Sequence, residues 1–423
     1  MKKVISLIMT FAMFATIFSG TAYAALPSDA SRPQDWIDSG VSVIVVGDYE
    51  FTSRFTKESP VLSEARGLNT EVDFSDKITY VDSLSALPSV YTESHNNDIV
   101  AIVISQDAID MYTSESTEKI ALETLLNQGN VAYFPNTAYG NMSNIFESIT
   151  GDSFNMEPVD ANNSDCVTAY VLKDSAGNYY TGNIIAPGEV SQEIIDERIL
   201  VETVENRSIY ATGRASSDFE PGYQWNQLST WHKNSFAAEL TKRIWFSEWI
   251  CFYSTQTPDG DHYYAWAGEW CMEPYKYNGV QWVSDYVKYE SECSGLQDGI
   301  QLRDYWPQNE PSSSTGSVSM GINSDRSYDF GLSYDWEIKD LSFTDNSRPS
   351  QEYCKLQWDF NHPMIGLGYD AEVSYAKFAM IFKDTLKADS YTFHHYRTAY
   401  LFARNMMGES SGANYRSTYD FKP

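Results

Sequence analysis

The chain is 423 residues long, 15% aromatic, and carries a net charge of −29 at neutral pH. Neutralising a nucleic-acid backbone requires the opposite sign, so DNA and RNA are excluded as partners, and bulk attraction to an anionic lipid surface is disfavoured. Uncharged and zwitterionic targets stay open, and the acidity suits solubility after export.

Lys2 and Lys3 precede an apolar run at residues 4–18, and Ala22-Tyr23-Ala24 is a small-x-small cleavage site. Residues 1–24 therefore read as a secretory signal peptide, with the mature chain beginning near Ala25 and the protein expected to be secreted and extracellular. Losing the two lysines takes the net charge from −29 to −31. No later stretch holds about 18 uninterrupted apolar residues, so no membrane helix is expected. The remaining roughly 400 residues exceed one ordinary core and imply about two or three domains.

Residues 41–46 form an apolar run ending in Gly47-Asp48. Residues 78–81 and 99–104 are two more, an amphipathic helix follows at 116–127, and residues 131–134 end at Pro135-Asn136. Continuous apolar strands alternating with helices predict a small, mostly parallel α/β sheet over residues 25–130. Gly47-Asp48 and Ser105-Gln106-Asp107 sit at strand ends, where such sheets bind ligands. Without a GxGxxG or a P-loop, ordinary turns are the stronger reading. Residues 167–172 and 179–185, joined through Ser175-Ala176-Gly177-Asn178, predict a hairpin within a small α+β unit at 131–200. Residues 191–230 are polar and mixed, with one helix expected at 236–243. From residue 244 the pattern is almost all strand: 244–253, 263–270, 282–289, 353–360, 372–382 and 391–402. The expected fold class is therefore α+β multidomain. A small N-terminal α/β unit precedes an antiparallel β-sandwich at 201–405, and a flexible tail follows at 406–423.

No GxSxG, HExxH or Cys–His pairing occurs, and no carboxylate pair stands out, so the chain is expected not to be an enzyme and to need no cofactor or metal. His394 and His395 are adjacent on a strand and point to opposite faces. Asp259-Gly260-Asp261-His262 could ligate calcium or could be a hairpin turn. Export permits disulfides among Cys166, Cys251, Cys271, Cys293 and Cys354. Cys251 and Cys271, flanking an expected hairpin, are the candidate pair. Trp245, Trp249, Trp266, Trp270 and Trp282 fall in one β region, as core residues or as an aromatic platform for sugars or lipid headgroups.

The most informative stretch spans residues 316–343, within a segment at about 310–345. Val318, Met320 and Ile322 alternate with small polar residues, Ser324-Asp325-Arg326-Ser327 interrupts, and Tyr328, Phe330, Leu332, Tyr334, Trp336 and Ile338 follow at a spacing of two. Each arm has one apolar and one polar face. Such a hairpin either covers a core or becomes two staves of a transmembrane barrel, with Asp329, Asp335, Glu337 and Lys339 turned to the lumen. The second arm, 328–338, matches the roughly 9–11 residues a crossing strand needs.

The order of these pieces resembles the leukocidin/hemolysin family of β-barrel pore-forming toxins, in its pro-domain-bearing cytolysin branch. Trp282-Val283-Ser284-Asp285-Tyr286 through Trp306-Pro307 resembles the strands before the pre-stem, and residues 316–334 resemble the pre-stem itself. Cys354-Lys355-Leu356-Gln357-Trp358 resembles the returning strand, and Tyr375-Ala376-Lys377-Phe378-Ala379-Met380-Ile381-Phe382 the late sandwich strand. Residues 131–185 are similar in pattern to the branch's pro-domain. The resemblance implies a secreted cytolysin that binds a lipid or glycan receptor on a target-cell membrane and assembles with itself into a ring homo-oligomer. Each subunit would donate one pre-stem hairpin. The alternative is a secreted glycan- or surface-binding β-sandwich protein without pore activity.

Overall fold

The computed structural model describes residues 40–55, 72–94, 99–110, 117–137, 142–151, 156–158, 165–175, 177–188, 190–212, 225–239, 242–274, 282–293, 300–306, 316–321, 329–334, 341–347, 353–360, 374–385, 391–403 and 410–421. The expected signal peptide lies outside them. The N-terminal elements are β1 (Val41–Val46), β2 (Arg54–Phe55), β3 (Val72–Asp73), β4 (Ile78–Val81), α1 (Leu87–Ser94), β5 (Ile99–Ile104), α2 (Gln106–Asp110), α3 (Thr117–Leu126), β6 (Val131–Phe134), α4 (Met142–Thr150), β7 (Met156–Pro158), β8 (Asp165–Lys173), β9 (Tyr179–Pro187) and α5 (Gln192–Thr212). Among the described residues strands alone follow: β10 (Asn226–Glu239), β11 (Lys242–Gln256), β12 (His262–Pro274), β13 (Trp282–Cys293), β14 (Ile300–Trp306), β15 (Gly316–Gly321), β16 (Asp329–Tyr334), β17 (Leu341–Asp345), β18 (Tyr353–Phe360), β19 (Ser374–Asp384), β20 (Tyr391–Ala403) and β21 (Ser410–Phe421).

β1 and β5 are buried at every position, as strands covered on both faces must be, which is why they read as unbroken apolar runs. They pair in parallel with each other, with β4 on one side and β6 on the other. β8 and β9 form the expected hairpin. Its turn is held by Asp174, whose carboxylate accepts from the Asn178 backbone at 2.8 Å and the Tyr180 hydroxyl at 3.0 Å.

The sheet does not stop there. β9 pairs in parallel with β10, and the ladder runs on through β11, β12, β19 and β14, giving eleven strands in the order β14–β19–β12–β11–β10–β9–β8–β6–β5–β1–β4. A six-stranded sheet, β17–β18–β13–β20–β21–β7, holds most of the remainder. The fold is mixed α/β with strands predominating, compatible with the expected α+β class.

Four expectations need correction. The boundary at 130/131 is bridged by the β5–β6 ladder, and the boundary at 200/201 falls inside α5. Of residues 236–243, expected to be helical, 236–239 belong to β10 and 242–243 to β11, with Glu239 facing Lys242. Even a run rich in good helix formers cannot outweigh a long ladder when it is this short, because isolated short helices are marginal. The tail expected to be flexible contains β21, paired along its length with β20. Its alternation of Ala413, Tyr415, Ser417, Tyr419 and Phe421 with Gly412, Asn414, Arg416, Thr418 and Asp420 is a strand signal that the Gly, Ser and Asn content masked.

α5 is the helix that periodicity missed, and its burial explains why. It packs against β1, β5, β6 and β9 and buries Asp196, Glu197, Arg198, Glu202 and Thr203 alongside Ile195, Ile199, Leu200 and Val201. Arg198 Nη2 meets Glu202 Oε1 at 2.6 Å, one helical turn away. The Arg198 guanidinium also lies 5.2 Å over the Trp245 ring of β11. The Tyr133 and Thr203 hydroxyls are 2.9 Å apart. A buried charge is tolerable only when paired and hydrogen-bonded, so this helix carries its polar partners inside instead of showing an apolar stripe.

Candidate membrane-inserting hairpin

β15 and β16 are antiparallel, with Gly316 facing Tyr334, Val318 facing Leu332, Met320 facing Phe330 and Gly321 facing Asp329. Directly opposed residues share a face of the pleat. The register therefore assigns Val318, Met320, Phe330, Leu332 and Tyr334 to one face. Ser317, Ser319, Asp329, Gly331 and Ser333 take the other. Ile322, Tyr328, Trp336, Ile338, Asp335, Glu337 and Lys339, named with them from the sequence, lie outside the described residues.

The pair is a sheet of its own and joins neither large sheet among the described residues. A two-stranded hairpin is marginally stable by itself in water. Its six-residue ladder is also shorter than the roughly 9–11 residues a membrane-crossing strand needs. The hairpin is inserted between β14, an edge of the eleven-stranded sheet, and β17, an edge of the six-stranded one.

The two roots meet. The Tyr305 hydroxyl on β14 donates to Asp345 Oδ2 on β17 at 2.8 Å. Burial first, and then the hydrogen bond to Asp345, push the phenol up to about 12, so it stays a neutral donor. Asp345 Oδ1 accepts from the Ser347 backbone at 2.9 Å. Ser347 Oγ accepts from the Lys355 backbone at 2.9 Å, and its hydroxyl lies 3.6 Å from Cys354 Sγ. Burial pushes the Cys354 thiol up to about 12, which leaves it unreactive.

The remaining candidates resolve differently. Gly47 (φ 86°) and Ser105 lie at the ends of neighbouring parallel strands, and the Ser105 hydroxyl donates to Asp107. The hydrogen bond from Ser105 holds the Asp107 carboxyl below its ordinary value. Ser105 has no left-handed backbone, so the turn lacks the strain of a nucleophile elbow. The 257–262 segment is a tight turn, with Gly260 N bonded to Thr257 O at 2.9 Å and the Asp261 carboxylate paired with Lys383. No group of three metal-binding side chains occurs among the described residues.

The proposed Cys251–Cys271 bridge is ruled out by register. Cys251 faces Ala267 and Cys271 faces Ser247. That places them four positions apart along the ladder, about 13 Å, against the roughly 7 Å a disulfide spans. Trp245 and Trp266 are buried, Trp266 edge-on to Phe252 at 4.5 Å, so they pack the core and form no exposed platform. The side chains of Trp249, Trp270 and Trp282 lie outside the described residues. No described helix is long and apolar enough to cross a membrane, which leaves strand-borne insertion untouched.

No protein-family model matches the chain, and no curated protein does. Solved structures that resemble it include one titled "Pore forming protein", at 10% identity over 46% of this chain and 93% of that one, with a TM-score of 0.27. Clostridium perfringens delta-toxin is similar at 9% identity over 44% and 92%, with a TM-score of 0.23. The collagen-binding subdomain of the Enterococcus faecalis surface protein ACE is similar at 9% identity over 46% and 96%, with a TM-score of 0.18. The neighbours thus include a pore-forming protein, a toxin and a collagen-binding surface protein, and at these scores the likeness is a weak one of fold.

Proposed function

We propose that this chain is a secreted, non-enzymatic, pore-forming protein that assembles with copies of itself on a target membrane and contributes the β15–β16 hairpin to a shared barrel. The observation that carries the reading is the hairpin's register: apolar positions of both arms fall on one face, polar positions on the other, in a unit belonging to neither main sheet. The inserted strands would have to include Ile322, Tyr328, Trp336 and Ile338 to reach across. Closing a ring pairs every backbone group, which a lone hairpin in lipid could not do. Asp329, Asp335, Glu337 and Lys339 would face the aqueous lumen. The receptor would be a lipid or glycan rather than an anionic surface, given the net charge of −29. Binding of a glycan through tryptophans alone is the weaker reading, because Trp245 and Trp266 are taken up by the core.

Dye release from phosphatidylcholine vesicles, with and without added glycolipid, tests this. Wild-type protein should leak them. Leu332→Arg should lose at least tenfold, because a cation at the midplane of a barrel's lipid face costs about 2–4 kcal/mol per subunit. Wild-type protein that leaks no vesicle of any composition, before or after limited proteolysis, would sink the reading.

A further inference from the structure

The roots of the hairpin are built more firmly than the hairpin. On β14 the register slips: Leu302 faces Phe382, Asp304 faces Ile381 and Tyr305 faces Met380, with Arg303 as the extra residue. A bulge turns the following side chains over, so Tyr305 lies on the face that carries Leu302, Met380 and Phe382. Without the extra residue it would face the other way. Asp304 Oδ1 accepts from Tyr305 N at 2.9 Å and fixes the backbone just past the bulge.

On the β17 side the acceptor is equally fixed. Asp345 faces Leu356 in the ladder, the Asn346 backbone donates to Lys355 O at 2.9 Å, and the Ser347 backbone holds the second carboxylate oxygen. A hydroxyl set by a bulge thus meets a carboxylate set by a turn, 40 residues apart in sequence and on edge strands of two different sheets.

We infer that the Arg303 bulge and the Tyr305–Asp345 hydrogen bond form a permanent clasp that keeps β14 and β17 joined while β15–β16 exchanges its soluble surroundings for others. The clasp makes the roots a fixed frame. Its part in the membrane-bound state rests on the pore-forming reading, whereas its part in the soluble protein does not.

Hydrogen exchange on the full chain, free and on phosphatidylcholine vesicles, tests it. Backbone amides of residues 300–306 and 341–347 should be protected equally in both states of the wild type, while those of 316–321 and 329–334 change. Tyr305→Phe should speed exchange of the root amides about tenfold in the soluble protein, Asp345→Asn at least as much because it also disturbs the Ser347 contact, and the double variant should go no further than Asp345→Asn alone. Should Asp345→Asn fail to fold, Ser347→Ala, which spares the Asp345 carboxylate but unties the turn from β18, should give a smaller acceleration confined to the same residues. Root amides that lose protection on vesicles overturn the clasp. So do single-variant effects that are absent or simply additive. Wild type that neither binds nor leaks vesicles defeats the pore-forming reading, and the soluble comparison still decides the clasp.

Discussion

Asp196 shows at residue scale how the polar interior of α5 constrains the molecule. It is 0% exposed and accepts hydrogen bonds from the Tyr49 hydroxyl at 2.6 Å, the Thr52 backbone at 2.8 Å and Gln192 Nε2 at 3.0 Å. Burial nevertheless pushes its carboxyl up to about 6, against the pull of those donors. A folded value above the unfolded 3.8 means that the folded chain holds this proton more tightly. The stability this contributes is complete below about pH 3.8 and is lost as pH rises through about 6, a total of about 3 kcal/mol. Roughly 2 kcal/mol of it falls between pH 4.5 and 7. Asp196→Asn should be less stable throughout, because its amide nitrogen meets a donor where a carboxylate oxygen stood. It should also lose that part of the pH slope. Thermal melts of both proteins at pH 4.5, 5.5, 6.5 and 7.5 read the difference. Parallel curves would show that Asp196 does not titrate in this window.

At element scale the strands are held by close fits that alternation cannot reveal. Gly268 of β12 faces Phe378 of β19, and a Cβ there would enter the Phe378 ring, which is itself 0% exposed. Gly268→Ala should therefore cost about 1–3 kcal/mol in equilibrium denaturation. Gly268→Ala combined with Phe378→Leu should recover part of that loss. A neutral Gly268→Ala would mean that the ring has room to shift. The same contrast explains what the sequence made legible. β1, β5, β6 and the β8–β9 turn were readable because local pattern and tertiary role coincide in them. α5 was not, because its buried Arg198–Glu202 pair and Asp196 erase the apolar stripe. β10 was not, because its C-terminal end has helix-forming residues that pairing with β11 overrides. The cysteine pairing failed because flanking a hairpin does not fix register, and four positions of offset separate Cys251 from Cys271. The β15–β16 hairpin was legible as a pair of antiparallel arms. Its clasp was not, since nothing in the sequence marks Tyr305 and Asp345 as neighbours.

At the scale of the whole molecule the N-terminal elements are woven into the β-rich part. β9, α5 and β10 form a parallel β-α-β crossover, with Trp231 facing Thr181 and Ser235 facing Ile185 at the ends of the ladder. α5 bridges the seam, reaching β1, β5, β6 and β9 on one side and, through Arg198, the Trp245 ring of β11 on the other. β7 adds a second seam, pairing Met156 with Phe421 and Pro158 with Tyr419 at the edge of the six-stranded sheet. The sequence pattern sets residues 131–200 apart as a small pro-domain-like unit. Detaching these elements would instead uncover two ladders of backbone donors and acceptors and take the buried Arg198 guanidinium off the Trp245 ring. Each such buried group costs about 1–3 kcal/mol when left unmatched, and more when charged. A protease site placed between residues 212 and 225 should therefore yield two pieces that co-elute in size-exclusion chromatography at neutral pH and part only in denaturant. The nicked protein should melt as one unit. Pieces that separate under native conditions, each keeping its own secondary structure, would show that the eleven-stranded sheet can divide at β9–β10 and that the N-terminal elements are removable after all.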